Sequence, residues 1–280
     1  MDAAMDAASF KTNRLLRKRS WWLIGQRGVY RKMLVISALP LVVNIVFWVL
    51  ALMGGTALSL STHRVDSILQ QTDAVSNGTL WLLVNLIVSA VVGVITSYAA
   101  LEIERSDGKN FEPGTVMARS LTWRYVLGTV MISVVIFIME AAVLLLFGLL
   151  AGIAAVTVGE TAGVHSPLLP VVFFAVLVFG GILMVRVFLP FSQTRLLMKD
   201  AIDNERDWNL FGLMKESRDL MRGFKVDLLS LYLSMWFFLL LELVTAGVGE
   251  LFFSPYVNMN LAGFYDNLLR YRKLRGQMGM

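Results

Sequence analysis

The chain has 280 residues, 57% of them hydrophobic and only 16% charged, with a formal net charge of +5. A soluble globular chain carries about 25% charged residues, so the apolar excess excludes an ordinary soluble domain and points to a bilayer. The absence of cysteine excludes disulfides, thiolate catalysis and Cys-ligated metals.

The first 32 residues are polar and basic. No short apolar core with a cleavage site opens the chain, so the first apolar block reads as a retained span rather than a signal peptide. Residues 14–32 mix basic side chains with Leu15, Leu16, Trp21, Trp22, Leu23 and Tyr30. Tryptophans beside arginines suit the lipid headgroup layer. Arg17, Lys18, Arg19, Trp21 and Trp22 are therefore candidate headgroup contacts.

Five apolar blocks follow, at 33–53, 80–101, 125–150, 168–189 and 226–245. Each is long enough for a helix across roughly 30 Å of hydrocarbon. Helices are the expected form, because irregular backbone cannot face lipid. In the second block, Ser89, Gly93 and Ser97 make a small-residue face; in the third, Gly148 and Gly152 make another, suited to close helix packing or to dimerisation. The third block stays apolar to about Val158, so it either protrudes or bends near "GLLAG".

Between the fourth and fifth blocks, Trp208, Phe211, Met214, Met221 and Phe224 recur at helical spacing. The spacing predicts an amphipathic helix over 203–224, lying on the inner surface with Arg218 and Arg222 toward headgroups. Asp203 or Asn204 is its expected cap, and Lys215 and Asp219 an expected i, i+4 pair. Groove binding to a soluble partner is the alternative use of such a helix. After the fifth block, "GVG" allows a reversal and 250–269 supplies a sixth span. A re-entrant segment broken at Pro255 is the alternative.

The basic residues fix the topology. Successive non-membrane segments hold eight, one, four, zero and seven Lys or Arg, and the tail holds Arg270, Arg272, Lys273 and Arg275. With six spans, 23 of 25 basic residues face the cytoplasm, and only Arg64 and Arg186 do not. The positive-inside rule then places both termini in the cytoplasm. The expected fold is an all-α integral membrane protein, one polytopic domain with six transmembrane helices and cytoplasmic amphipathic helices. The longest non-membrane stretch, from Phe191 to Lys225, is too short for an independent core.

The C-terminal third carries "KESRDLMRGFKVDLLSLYLSMWFFLLLELVTAGVGELFFSPYVNMNLAGFYDNLL". Its pattern runs Ser-Arg-x-Leu-Met-x-Gly, Asp-Leu-Leu-Ser-Leu, Gly-x-Gly, Pro-Tyr and Ala-x-Phe-Tyr. In these motifs, and in "LEIERSDGKNFEP", the chain resembles the bacterial polytopic membrane family catalogued as domain of unknown function 975. More distantly, the Ser-x-x-Leu-x-x-Gly hinge is similar to the membrane domain of some glycerophosphoryl diester phosphodiesterases. The resemblance implies six spans in a bacterial cell membrane, of a Gram-positive organism, and no established activity. No soluble phosphodiesterase domain is present, so that activity is not carried over. At the first span "RGVYRKM" stands where the family has a "GNW"-like start.

Charges within hydrocarbon cost about 2.5–3.5 kcal/mol at a helix centre on insertion scales, and three stand out. Glu140 and Glu242 are expected at similar depth toward the outer leaflet. They either share a proton or cation site, one held neutral by the other, or each bonds separately near the outer interface. Arg186 reads as a snorkelling side chain within reach of Asp227, or as a substrate ligand. Ser254, Asn258, Ala262 and Tyr265 share one stripe of the last span, with Asp266 beside it. That stripe is either a lining for a polar ligand or polar glue between helices. His63 and His165 stand alone in outer loops, with no metal-ligand spacing. No phosphate-binding loop or nucleophile motif occurs. No cofactor, catalytic residue or metal is expected. Nucleic acid is not an expected partner, since topology already explains the positive charge.

The expected function is non-enzymatic: contact with membrane lipids, a membrane-protein partner or a second copy, in envelope maintenance or an immunity-like role. The alternative is a transporter or flippase for a small solute or lipid, using Glu140, Glu242 and the polar face of the last span. An intramembrane enzyme is the weakest reading, for lack of a paired acid, base and nucleophile.

Overall fold

The computed structural model describes residues 12–61, 88, 90–109, 111–162, 168–245 and 248–277. Nearly all of them are helical, and no strand occurs among them. The all-α class is as expected.

In chain order the helices are α1 (Asn13–Ile24), α2 (Val29–Ser61), α3 (90–106), α4 (Pro113–Ser120), α5 (Trp123–Ala162) and α6 (Leu168–Phe188). They continue with α7 (Thr194–Asp203), α8 (Leu210–Leu220), α9 (Lys225–Ser234), α10 (Trp236–Val244) and α11 (Val248–Gln277). A 3-10 turn, Leu189–Phe191, joins α6 to α7 and carries Pro190.

Local chemistry sets several of these boundaries. Pro113 opens α4 at a position where its missing N–H costs nothing. Past α3 the chain turns through Asp107 and Gly108 at φ 53° and 75°. The positive φ favours glycine at 108, and a Cβ there would also have to displace the end of the Gln26 side chain, 2.5 Å away. Asn209 caps α8 by accepting from the Gly212 N–H at 2.5 Å.

Two stretches, Trp123–Thr157 and Pro170–Asp203, are long and apolar enough to cross a membrane among the described residues. They hold the third and fourth expected spans. α5 is one continuous helix of 40 residues through Gly148 and Gly152, roughly 60 Å at 1.5 Å per residue. α11 likewise runs unbroken through Pro255 and on to Gln277, well past residue 269. The break expected of a re-entrant segment is absent there.

Other expectations are corrected. The fifth block is two helices divided at Met235, where i→i+3 bonds from Met235 N to Tyr232 O and from Phe238 N to Met235 O tighten the chain. The 203–224 helix is replaced by a turn at 204–209 followed by α8. That turn resets the helical phase. Leu213, Met214, Ser217 and Leu220 face inward, while Phe211 is 78% exposed. The cap is Asn209 rather than Asp203 or Asn204, and Lys215 forms no ion pair with Asp219. Of "GVG", Val248 and Gly249 open α11, while Gly247 lies outside the described residues, as do His63, His165 and Ser89.

One apolar core joins α1, the start of α2, α3, α4, the start of α5, α7, α8, α9 and α11. Tyr98, Phe264 and Tyr265 are its largest fully buried side chains. Gly128 admits Met198 and Trp208 so closely that a Cβ would lie 2.3 Å from the methionine sulfur. α5 and α6 pack on each other through Phe147, whose ring meets Phe179 edge-on at 6.2 Å and lies against Gly180. Beyond that contact they bury little: Leu145 and Phe174 are 75% and 68% exposed.

Candidate functional site

The α1 helix presents two chemically different faces. Leu16, Ser20, Leu23 and Ile24 are buried, and the helix packs along α11. Outward stand Leu15, Trp21 and Trp22, each more than half exposed, with Arg14 and Lys18 among them. Trp21 still touches α11, its ring 4.7 Å from that of Tyr256. Arg17 is half-buried, and Arg218 and Arg222 on the far side of the core are exposed. Arg19 turns inward instead. Its Nε donates to Glu104, and its Nη2 donates to Asp107 at 2.7 Å and to the Glu104 carbonyl at 3.2 Å.

A second ionic cluster joins the C-terminal end of α3 to α7 and α11. Arg105 donates both Nη groups to Asp200, at 2.6 and 2.8 Å, and its Nε to Asp266 at 3.4 Å. Arg270 meets Asp266 at 2.7 Å, and the Tyr265 hydroxyl donates to Asp200 at 2.7 Å. Arg272 donates to the carbonyls of Asp219 and Arg222, both at 2.9 Å, which close the end of α8. Lys199, Asp203 and the Tyr125 hydroxyl form a third group. The two-bond Asp200 contact holds the Arg105 guanidinium well above its ordinary range, against burial. Burial pushes Glu104 above the ordinary carboxyl range although Arg19 pulls it back.

The polar stripe of the last span is turned toward its neighbours. The Ser97 hydroxyl donates to Asn258 at 2.7 Å, and Asn258 donates to Ser254 through both carbonyl and hydroxyl. Tyr265 and Asp266 belong to the ionic cluster just described. Arg186 is exposed and makes no ion pair with Asp227, whose carbonyl accepts from Asn13 at 2.8 Å.

Glu140 is half-buried on α5. Glu242 lies on α10 with its side chain outside the described residues, and the expected carboxylate pair lies outside them with it. Burial disfavours the charged form of Arg195, and Tyr98, ahead of Glu140, offsets part of that; Glu140 makes no ion-pair contact with it among the described residues. The Arg195 Nη2 donates to Ser133 at 3.4 Å, and the Tyr98 hydroxyl donates to the Arg195 carbonyl at 3.3 Å. The Arg195 Nε is buried with no partner among the described residues. Sequence reasoning passed over Glu104, Arg105, Asp200 and Arg195 because each sat in a segment read as a charged inner loop. A polar residue flanked by apolar helices was the available signal only for Arg195.

Residues 41–272 match the protein family described as Protein of unknown function (DUF975). The match starts beyond the N-terminal stretch that departs from the family's usual start. No curated protein and no solved structure matches the chain, so the distant phosphodiesterase likeness rests on its sequence motif alone.

Proposed function

The chain belongs to the DUF975 family, and on that footing we propose a six-span protein of the bacterial cell membrane that works by contact with lipid rather than by catalysis. Both termini lie in the cytoplasm. The two long helices with exposed apolar flanks support the membrane reading. The contacts from Arg19 to Glu104 and Asp107, and from Arg272 to the end of α8, support a shared side for the two chain ends. They tie both ends to segments whose positive charge reads as cytoplasmic.

The observation that carries the lipid reading is the outer face of α1. Trp21 and Trp22 stand in solvent-accessible positions beside Arg14 and Lys18, while the neighbouring Arg19 is withdrawn into an ion pair. Indole rings flanked by cations match the interfacial layer, where each positioned basic residue adds about 1 kcal/mol of attraction to anionic lipid. The chain contains no cysteine, so a Leu15→Cys variant carries one unique fluorophore. In nanodiscs of anionic lipid, its emission should be blue-shifted and quenched by lipids spin-labelled near the headgroup. A probe quenched only by aqueous iodide contradicts the proposal.

A further inference from the structure

We propose that Arg195 and Glu140 are the two poles of a binding site for a phosphate–ammonium zwitterion, carried by a lipid headgroup or by a soluble compound of the same chemistry. This goes beyond the surface contact of α1, since the site lies between α5 and α7 and involves no residue of α1.

The geometry starts at Ser133. Its hydroxyl accepts from the Arg195 Nη2 at 3.4 Å, which anchors the guanidinium against α5. Glu140 stands seven residues further on the same helix, two turns along the same face and roughly 10 Å away. The arginine from α7 therefore meets α5 on the face that also carries Glu140. The two charges form no ion pair among the described residues; the Arg195 guanidinium bonds Ser133 instead. Both side chains are half-buried, so each retains an accessible portion.

The guanidinium is held but incompletely satisfied. A long 3.4 Å bond to a neutral hydroxyl is its one hydrogen bond among the described residues, and its Nε is sealed from solvent without a partner. An arginine between apolar helices in that condition is costly and calls for an anion. Arg19, Arg105 and Lys199, by contrast, each hold a carboxylate. Glu140 then decides the ligand's second charge. A plain anion on Arg195 would lie in the repulsive field of that carboxylate, whereas a ligand with an ammonium group a few ångströms from its phosphate satisfies both poles.

The test uses the full chain in detergent, exchanged into a defined equimolar mixture of phosphatidylethanolamine and phosphatidylglycerol, with retained lipid counted by native mass spectrometry. Wild type should retain phosphatidylethanolamine about tenfold over phosphatidylglycerol, the factor expected of one added charge-assisted contact. Arg195→Gln should lose that retention, and Arg195→Lys should keep part of it. Glu140→Gln should invert the preference toward phosphatidylglycerol, a change that a merely structural role would not produce. Soluble phosphoethanolamine that displaces the lipid assigns the site to a solute; failure to displace assigns it to lipid, and either result sustains the zwitterion chemistry. Equal retention of both lipids by wild type, or a Glu140→Gln variant with unchanged preference, overturns the proposal. Probe quenching at Leu15→Cys is independent of these outcomes, so the two proposals fail separately.

Discussion

Phe264 on α11 and Leu145 on α5 are both large apolar side chains well inside long helices, yet the first is fully buried and the second is 75% exposed. The regions around them differ in the same way. Around Phe264, charged residues from distant segments close on one another and backbone carbonyls are capped by Arg272. Around Leu145, glycines at 148 and 152 face open space, and a Cβ at either would meet nothing within 4 Å. The contrast teaches that one end of the molecule is stabilised by protein against protein, whereas α5 and α6 present apolar flanks suited to lipid.

Paired substitutions break or sharpen that contrast. The largest effect is expected from Phe264→Ala, which removes a fully buried ring and should cost about 3–5 kcal/mol of stability. Leu145→Ala should cost within about 0.5 kcal/mol, because it leaves no cavity inside the protein. Reversible unfolding in mixed micelles measures both, and similar losses would erase the distinction between the two regions.

Arg105→Ala comes next. It leaves Asp200 and Asp266, both mostly buried, without their shared cation. Since Arg105 itself is more than a third exposed, the loss is discounted to about 2 kcal/mol from the value for a fully buried pair. Arg105→Lys should restore only part of it, because the two-pronged contact to Asp200 needs the guanidinium fork. Thermal melting of the two variants in one detergent reads the difference.

Glycines give a smaller pair of opposite sign. Gly128→Ala drives a methyl group into Met198 and against the rigid Trp208 ring, for a loss of about 1–2 kcal/mol. Gly148→Ala in the open helix should be neutral or stabilising by up to about 1 kcal/mol, through helix propensity.

The smallest effect is a pH slope. The folded protein holds the Glu104 proton to higher pH than the unfolded chain does. Between the unfolded carboxyl value, about 4.3, and the raised folded value, the native state binds more protons. Stability attributable to Glu104 therefore falls as pH rises through that window. Glu104→Gln should flatten this part of the curve, and a steeper curve in the variant would reverse the assignment.

Much of the helical plan was legible because apolar blocks of span length have few other readings. The fourth block, expected at 168–189, is α6 at Leu168–Phe188. The ionic network was not legible, because its partners are far apart in sequence: Arg19 and Glu104 are separated by 85 positions, and Arg105 and Asp200 by 95. No local spacing encodes such a pair. Trp208 and Phe211 fall on one apolar stripe only if a single helical phase runs through 203–224, whereas the chain breaks at 204–209 and restarts. The division at Met235 has neither glycine nor proline to announce it. Among the candidate site residues, Glu140 was visible as an isolated charge in an apolar helix, but its relation to Arg195 required the packing of α5 against α7.

The proposal that most needs testing puts both chain termini on the cytoplasmic side. Single cysteines placed at Ser9, His165 and Gln277 in the cysteine-free chain test it with a membrane-impermeant thiol reagent on intact cells. The account predicts that His165→Cys is labelled while Ser9→Cys and Gln277→Cys react only after the cells are opened. Labelling of Gln277→Cys on intact cells at the rate of His165→Cys would contradict it.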